Sequence, residues 1–235
     1  MSSNGYEQVG VAMTCRGFEE YRRMFGLTSE DLLAGEVLDV AAGASSFTAD
    51  ANGLGYKALA VDPRYALDAG QLKQEAAEEI DVSTTKLEGL QEHYDWTYYG
   101  NLKRHKEGRI ASLERFVADR TALDFQSRYI AGKLPELPFE SSRFSLVLCS
   151  HFLFLYGQQF DMEFHRQALR ELIRVCRPGG QIRIYPLVTL RFERFPGLDQ
   201  LLELIRESGA SAEFRKSELP FIPGSSQHLN IRVQH

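Results

Sequence analysis

Two rhythms of apolar and polar residues run through this chain. Short apolar runs at Val37–Val40, Ala58–Val61, Tyr129–Ala131, Phe144–Cys149 and Gln181–Tyr185 read as strands. FSLVLC at 144–149 is almost continuously apolar, as a strand buried on both faces requires. Leu229, Ile231 and Val233 alternate instead, the pattern of an antiparallel strand near a sheet edge, and Ala212–Arg215 reads as a further short strand. Between these runs apolar residues recur at three- and four-residue spacing. Phe18, Tyr21, Arg22 and Phe25 start one or two short helices, with Thr28 or Ser29 as a cap. Phe47, Ala51 and Leu54 mark another helix, ended by Gly53 and Gly55. Phe164, Ala168, Leu169, Leu172, Ile173 and Cys176 mark a third, stopped by Pro178-Gly179-Gly180. Leu198, Leu201, Leu202 and Ile205 mark the last, between Pro196-Gly197 and Gly209.

The order of these elements predicts an α/β fold: a doubly wound, mostly parallel seven-stranded sheet with one antiparallel strand and helices on both faces. About sixty residues separate Asp62 from the strand at 128–131, where a crossover needs a dozen or more. This stretch is polar and helix-forming, so a helical insertion of two or three helices is expected between strands 2 and 3, folded partly as a lid. The expected organisation is a single domain over 1–235, with an N-terminal helical arm at 1–34 and the insertion at about 70–125.

Composition narrows the setting. With 235 residues, 43% of them hydrophobic, the chain can bury a sizeable core. A net charge of −5 speaks against a general nucleic-acid-binding field. No apolar run is long enough to span a membrane, and MSSNGYEQVG has neither the basic nor the apolar part of a secretory signal. Cys15, Cys149 and Cys176 are odd in number and far apart, with no metal-ligand or disulfide spacing, which fits reduced thiols in a cytoplasmic protein.

Candidate chemistry concentrates in Glu36–Arg64. Strand, small-residue turn (Ala41-Ala42-Gly43-Ala44-Ser45), helix and strand form a βαβ unit, with Asp39 in the first strand and Asp62 at the tip of the second. Such a unit places a nucleoside outside the carboxyl ends of its strands, and a terminal carboxylate can accept two hydrogen bonds from vicinal ribose hydroxyls. The turn offers less room for a pyrophosphate than GxGxxG, which argues against a nicotinamide or flavin. The plainer alternatives are a compact turn capped by Ser45 or Ser46, and a loop-capping acid at Asp62.

Four stretches in order resemble the class I S-adenosylmethionine-dependent methyltransferases: VLDVAAG, the strand-end Asp62, LPELPFESSRFSLVLCSHFLF, and LRELIRVCRPGGQIRI. The resemblance covers residues 34 to 235 apart from the insertion. It implies S-adenosyl-L-methionine as cofactor and S-adenosyl-L-homocysteine as product. It places Ala41, Gly43 and Ser45 around the methionine portion, with Asp39 ordering the turn or meeting the amino-acid end through water. Asp62 would hold the ribose, Pro63 and Arg64 would line the adenine, and Ser150 would touch the methionine end. Lys133 stands where the family often has an acid for the adenine amino group, leaving backbone groups of Lys133 and Leu134 for that contact. Ser145 replaces the acid of the family's fourth strand.

Methyl transfer needs a base only when the nucleophile must lose a proton. His151, just past the fourth strand, is the candidate; the alternative is a local hydrogen-bonding role. Tyr156 is a candidate for lining the substrate site. Tyr21 either closes over the site or staples a helix to the domain. The aromatic cluster holding Tyr94, Trp96, Tyr98 and Tyr99 is either a stacking surface for substrate or the small core of the insertion. Lys103-Arg104-His105-Lys106 is a solvated helix end or a steering patch for an anion, RNA included. The resulting expectation is a methyltransferase acting on a small molecule; alternatives are an RNA methyltransferase and a non-catalytic binding protein on the same scaffold. Arg183 stands out, a charge in mid-strand that calls for an open sheet face or a buried acid.

Overall fold

The computed structural model describes residues 6–8, 10–122 and 125–234, with Phe125 described for its backbone only. Its strands are β1 (Val37–Val40), β2 (Ala58–Val61), β3 (Tyr129–Ile130), β4 (Phe144–Ser150), β5 (Cys176–Tyr185), β6 (Ala210–Lys216) and β7 (Gln227–Val233). They form one seven-stranded sheet in the order β3-β2-β1-β4-β5-β7-β6, antiparallel only where β7 meets β5 and β6. The helices are α1 (Phe18–Phe25), α2 (Ser29–Leu33), α3 (Phe47–Gly53), α4 (Ala69–Glu88), α5 (Leu102–Arg120), α6 (Met162–Val175) and α7 (Leu198–Glu207).

Strand periodicity divides the core. Leu38, Val40, Val147, Cys149, Ile182 and Ile184 pack toward α6 and α7. Val37, Ala58, Leu146 and Leu148 point the other way, with Tyr21, Phe25 and Phe47 from α1 and α3. Both faces are therefore covered, which is why β1, β2 and β4 are buried along their whole length. The insertion supplies α4 and α5, which pack on each other and fasten to the sheet through Phe116, Tyr65 and Tyr129. Phe116 and Tyr129 meet edge-on with ring centroids 5.3 Å apart.

Two local expectations change, and one substitution gains its reason. Leu54 does not face the core: it caps α3 and is 62% exposed, because the helix ends a residue earlier at Gly53. The RPGG stretch does not precede β5. The strand begins at Cys176, opposite Phe144, and pairing resumes only at Gln181 opposite Leu146. Arg177–Gly180 thus form a bulge that carries the Pro and both glycines without breaking the strand. Ser145 is explained by crowding: its hydroxyl donates to Glu36 O at 3.0 Å, and a Cβ at Gly35 would lie 3.0 Å from its Oγ.

Arg183 has a buried acid. Its guanidinium donates to Asp31 Oδ1 at 2.7 Å, to Phe25 O at 3.0 Å and to Asn230 Oδ1 at 3.2 Å. It lies on the α1–α2 side of the sheet, where the left-handed turn at Gly26 turns carbonyls toward it. Thr28 caps α2 and positions Asp31 through a reciprocal capping box. Removing the acid leaves a buried charge, so Asp31→Ala is expected to cost about 3 kcal/mol in a urea unfolding titration, and Arg183→Met less. Equal losses would show that the pair contributes nothing beyond packing.

Candidate functional site

At the carboxyl edge, neighbouring strands β1 and β4 are each followed or ended by a residue in left-handed backbone. Ala41 has φ 55° and His151 has φ 52°. Neither is glycine, so each site holds roughly 1–2 kcal/mol of strain that the surrounding contacts must offset. Those contacts are visible at the turn. Gly43 N–H donates to Asp62 Oδ2 at 3.0 Å, and Tyr65 Oη donates to Gly43 O at 2.8 Å. Asp62 Oδ1 accepts Arg64 N–H at 2.9 Å. Each carboxylate oxygen so holds one backbone donor and keeps acceptor capacity for another. Burial pushes this carboxyl's pKa upward, against the two backbone donors and Arg64.

Asp62 opens onto a cavity of about 300 Å³. Ala41, Pro63, Arg64, Lys133 and Leu134 share it with Asp62, and the aromatic side is Phe160 and Phe164, stacked 4.3 Å apart. A flat apolar slot with one carboxylate at its rim suits a nucleoside.

The N-terminal arm closes the other side of the turn. Ala44 N–H donates to Thr14 O at 2.9 Å, and Ser45 Oγ accepts Arg16 N–H at 3.2 Å. Gly43 has φ 59°, and a Cβ there would come within 2.9 Å of Thr14 O, so both conformation and space require glycine. Asp39 lies beneath, fully buried, taking the Tyr21 hydroxyl on Oδ1 at 3.2 Å; its Oδ2 has no partner. Burial holds the Asp39 carboxyl well above its ordinary pKa, with Tyr21 opposing and Asp62 reinforcing.

A second cavity, of about 90 Å³, lies between the arm, α4, α5 and the loop after β4. Val11 lines the first cavity and Ala12 and Thr14 the second, so the arm is their shared wall. Tyr156 Oη accepts Ala12 N–H at 2.9 Å and holds that wall in place. His151 faces this cavity, its Nδ1 bonded to Ser150 Oγ at 2.8 Å. Burial, then the charges of Arg16 and Arg109, push the His151 pKa well below 6.5, so the ring is neutral. Helix α4 contributes Glu79 and Ser83, and α5 contributes His105 and Arg109, each pair four residues apart and so on one face.

The structure therefore brings Ala41, Asp62, Pro63, Arg64, Lys133 and Leu134 to one cavity, and His151 and Tyr156 to the other. Asp39, Gly43, Ser45 and Ser150 stand just behind these surfaces. Three expected lining residues are displaced. Tyr21 is fully buried, stacked on Phe47 at 4.5 Å. Tyr99 turns its hydroxyl to Glu20 and Arg16, and Trp96 packs edge-on to Phe221 at 5.1 Å. Both are wall-builders behind Phe221 and His105, while Tyr94 of the same aromatic cluster lines the second cavity. Arg16 and Glu79 escaped the sequence reading, and His105 entered it only as part of a basic helix end. On α4 and α5 the signal was the matched four-residue spacing of polar groups, Glu79 with Ser83 and His105 with Arg109.

Comparison with known proteins agrees with this architecture. A family model described as "Methyltransferase domain" matches residues 106–184, from α5 through β5. The chain therefore carries a methyltransferase domain match over that stretch, on the seven-stranded sheet described above. Among its relatives is MJ0045 of Methanocaldococcus jannaschii, an uncharacterized protein, 32% identical over 218 residues, 92% of this chain and 94% of that one. Similar solved structures include a Burkholderia thailandensis 1,6-didemethyltoxoflavin-N1-methyltransferase, with 16% identity, 85% and 71% of the two chains covered and a TM-score of 0.43. Another is magnesium protoporphyrin IX methyltransferase from Synechocystis PCC 6803, with 10% identity, 84% and 69% covered and a TM-score of 0.44.

The buried histidines set a pH dependence. Burial first, then Arg16 and Arg109, lower the His105 pKa to about 2. Below about 6.5 the unfolded chain binds a proton that the folded chain refuses. This group's contribution is therefore intact above that pH and is lost as pH falls toward the folded value. His105→Phe keeps a ring against Phe221 and removes the titration. Its stability difference between pH 7 and pH 5, from urea midpoints, should be smaller than the parent's by about 2 kcal/mol. An unchanged difference would place His105 in water.

Proposed function

We propose that this protein transfers the methyl group of S-adenosyl-L-methionine to a small molecule bound in the cavity lined by His151. The observation that carries this is the pair of cavities at one sheet edge, with the Asp62 carboxylate in one, His151 in the other and a single strand of arm between them. The residues of the first cavity fit the adenosine half of the cofactor. Asp62 keeps acceptor capacity for the ribose hydroxyls, and Leu134, Phe160 and Phe164 give the adenine an apolar slot. The unpartnered Asp39 Oδ2 offers an acceptor below the turn for the amino-acid end. When bound, the cofactor supplies a methyl group activated by its positive sulfur.

The chain's own part is position, dryness and one proton. Pro63, Arg64 and the backbone of Lys133 and Leu134 flank the adenine. Ala41, Gly43, Ser45 and Ser150 surround the amino-acid half. In the tautomer with its proton on Nδ1, donated to Ser150 Oγ, His151 has Nε2 available to take a proton from the acceptor. Its neutral state at physiological pH suits that role, and the acid limb of the reaction should lie below pH 6.5. Because Val11–Thr14 separate the cavities, transfer requires that this stretch shift, and the Ala12–Tyr156 bond is the contact it must release.

A small-molecule acceptor is favoured over RNA by the basic run. Lys106 is paired with Asp81 at 2.7 Å, Lys103 lies 3.8 Å from Glu107, and Arg109 points inward and is buried. Apart from the exposed Arg104, these charges are paired or turned inward.

Titration with S-adenosyl-L-homocysteine in a calorimeter tests the cofactor site. Binding is expected in the parent, and Asp62→Ala should weaken it about 30-fold or more, the loss of charged hydrogen bonds to two hydroxyls. Unchanged affinity in the variant would displace the ribose from Asp62. Labelled methyl from the cofactor should enter a low-molecular-mass extract, and His151→Gln should lower that incorporation by about 100-fold while leaving the titration intact. Label recovered in a nuclease-sensitive fraction would transfer the assignment to RNA.

A further inference from the structure

The acceptor cavity is built of unequal parts. Its apolar walls include Leu87, Leu155, Tyr94 and Phe221. Set into them is Arg109, a permanently charged guanidinium that is buried, with Ser83 Oγ as its one hydrogen-bond partner and no carboxylate within ion-pair distance among the described residues. A buried cation without a counterion is costly, several kcal/mol by any account, unless something answers it. The acid beside it is Glu79, from the facing helix. Its Oε1 is buried and has no partner, and burial drives it toward the neutral form while Arg109, Lys86 and Arg64 oppose. The other cation, Arg16, is already answered by Glu20 at 2.9 Å and by Tyr99 Oη at 2.7 Å. His105 adds no charge; its ring stacks on Phe221 at 5.0 Å, and both its nitrogens are buried and unpartnered. The charge of Arg109 reaches Tyr6, Glu79, His105, His151 and Tyr156, so it is the electrostatic centre of the cavity. In a chain of net charge −5, this enclosed space holds a guanidinium that, among the described residues, has no carboxylate in ion-pair contact.

We propose that the methyl acceptor is a small aromatic acid, its carboxylate held by Arg109 and its ring laid against Phe221 and Tyr94. This rests on the methyltransferase reading for the word acceptor, though not for the binding itself. A carboxylate supplies the planar, two-oxygen partner that a guanidinium fork fits best. The aromatic walls favour a flat ring over an aliphatic chain of the same charge. His105 then offers one donor and one acceptor to ring substituents. With the acid end anchored on α5, the opposite end of the ring is directed at His151, where the proton is to be taken.

Benzoate and its neutral isostere benzamide are the probes, followed by ligand-observed NMR on the full-length protein. Benzoate should bind, benzamide at least about tenfold more weakly, and the difference should shrink with added salt. Arg109→Gln should lose the preference for benzoate, while S-adenosyl-L-homocysteine affinity stays within about twofold of the parent. Equal binding of the two probes, benzoate binding that survives Arg109→Gln, or no benzoate binding by about 50 mM would each overturn the assignment. Should Arg109→Gln fail to fold, seen as loss of cooperative unfolding, Arg109→Lys and the probe pair on the parent protein decide. Cofactor titration is read separately. Benzoate selectivity without cofactor binding would sink the methyltransferase reading alone, and cofactor binding without benzoate selectivity would sink the aromatic acid alone.

Discussion

The buried ion pair of Arg16 with Glu20 is where three separately encoded pieces of chain meet. Arg16 belongs to the arm, Glu20 to α1, and Tyr99, whose hydroxyl bonds both, to the connection between α4 and α5. Glu20 also accepts Gly17 N–H at 2.7 Å and so starts α1. In a low-dielectric interior such a cluster holds only when every member is satisfied, because the loss of one leaves a charge stranded. The arm's position follows from it. Arg16 N–H meets Ser45 Oγ and Arg16 O takes Ser46 N–H, so the strand-to-helix turn is fastened to the same point. The walls of both cavities descend from that fastening.

It also accounts for the departures of the turn from a glycine-rich form. Ser45 carries a hydroxyl where a glycine would have none, and that hydroxyl bonds the arm at Thr14 and Arg16. Ala41 holds left-handed backbone at a modest cost that glycine would avoid. The residue lines the cavity onto which Asp62 opens. Gly43 is the position with no substitute, since the arm's backbone rests on it. A turn that looks degenerate in isolation is complete once the arm is counted as part of it.

What could be read from sequence follows the range of the interactions. Strands and helices of the sheet were legible because burial on two faces writes long apolar runs and strict spacing, as in Phe144–Cys149 and the inner face of α6. The resemblance of Asp39, Asp62 and the RPGG stretch to a known pattern ordered them correctly, although RPGG turned out to be a bulge within β5. Long-range pairing was not legible. Nothing local tells that Arg183 reaches Asp31, 152 residues away, or that Tyr99 reaches back to Glu20. The second cavity stayed hidden for the same reason. Glu79, Ser83, His105 and Arg109 look like surface residues on two weakly amphipathic helices until those helices are docked over the arm.

That difference in legibility reflects a division of labour within the fold. The cavity at Asp62 is made by strand ends and their loops, held by backbone hydrogen bonds at Gly43, Arg64 and the Lys133–Glu136 bridge. Its geometry is a property of the sheet. The polar character of the second cavity comes from side chains of α4 and α5, which pack against Ala60 and Tyr129 of the sheet and against Tyr65. Exchanging Glu79, His105 or Arg109 would therefore re-specify what the second cavity accepts without moving the carboxylate at Asp62. The exchange has one limit. Arg109 and Arg16 are also what keep His151 and His105 neutral, after burial itself. A cavity rebuilt without those charges would bring His151 nearer its ordinary pKa, so the charge the cavity presents and the protonation of His151 are coupled through the same guanidinium groups.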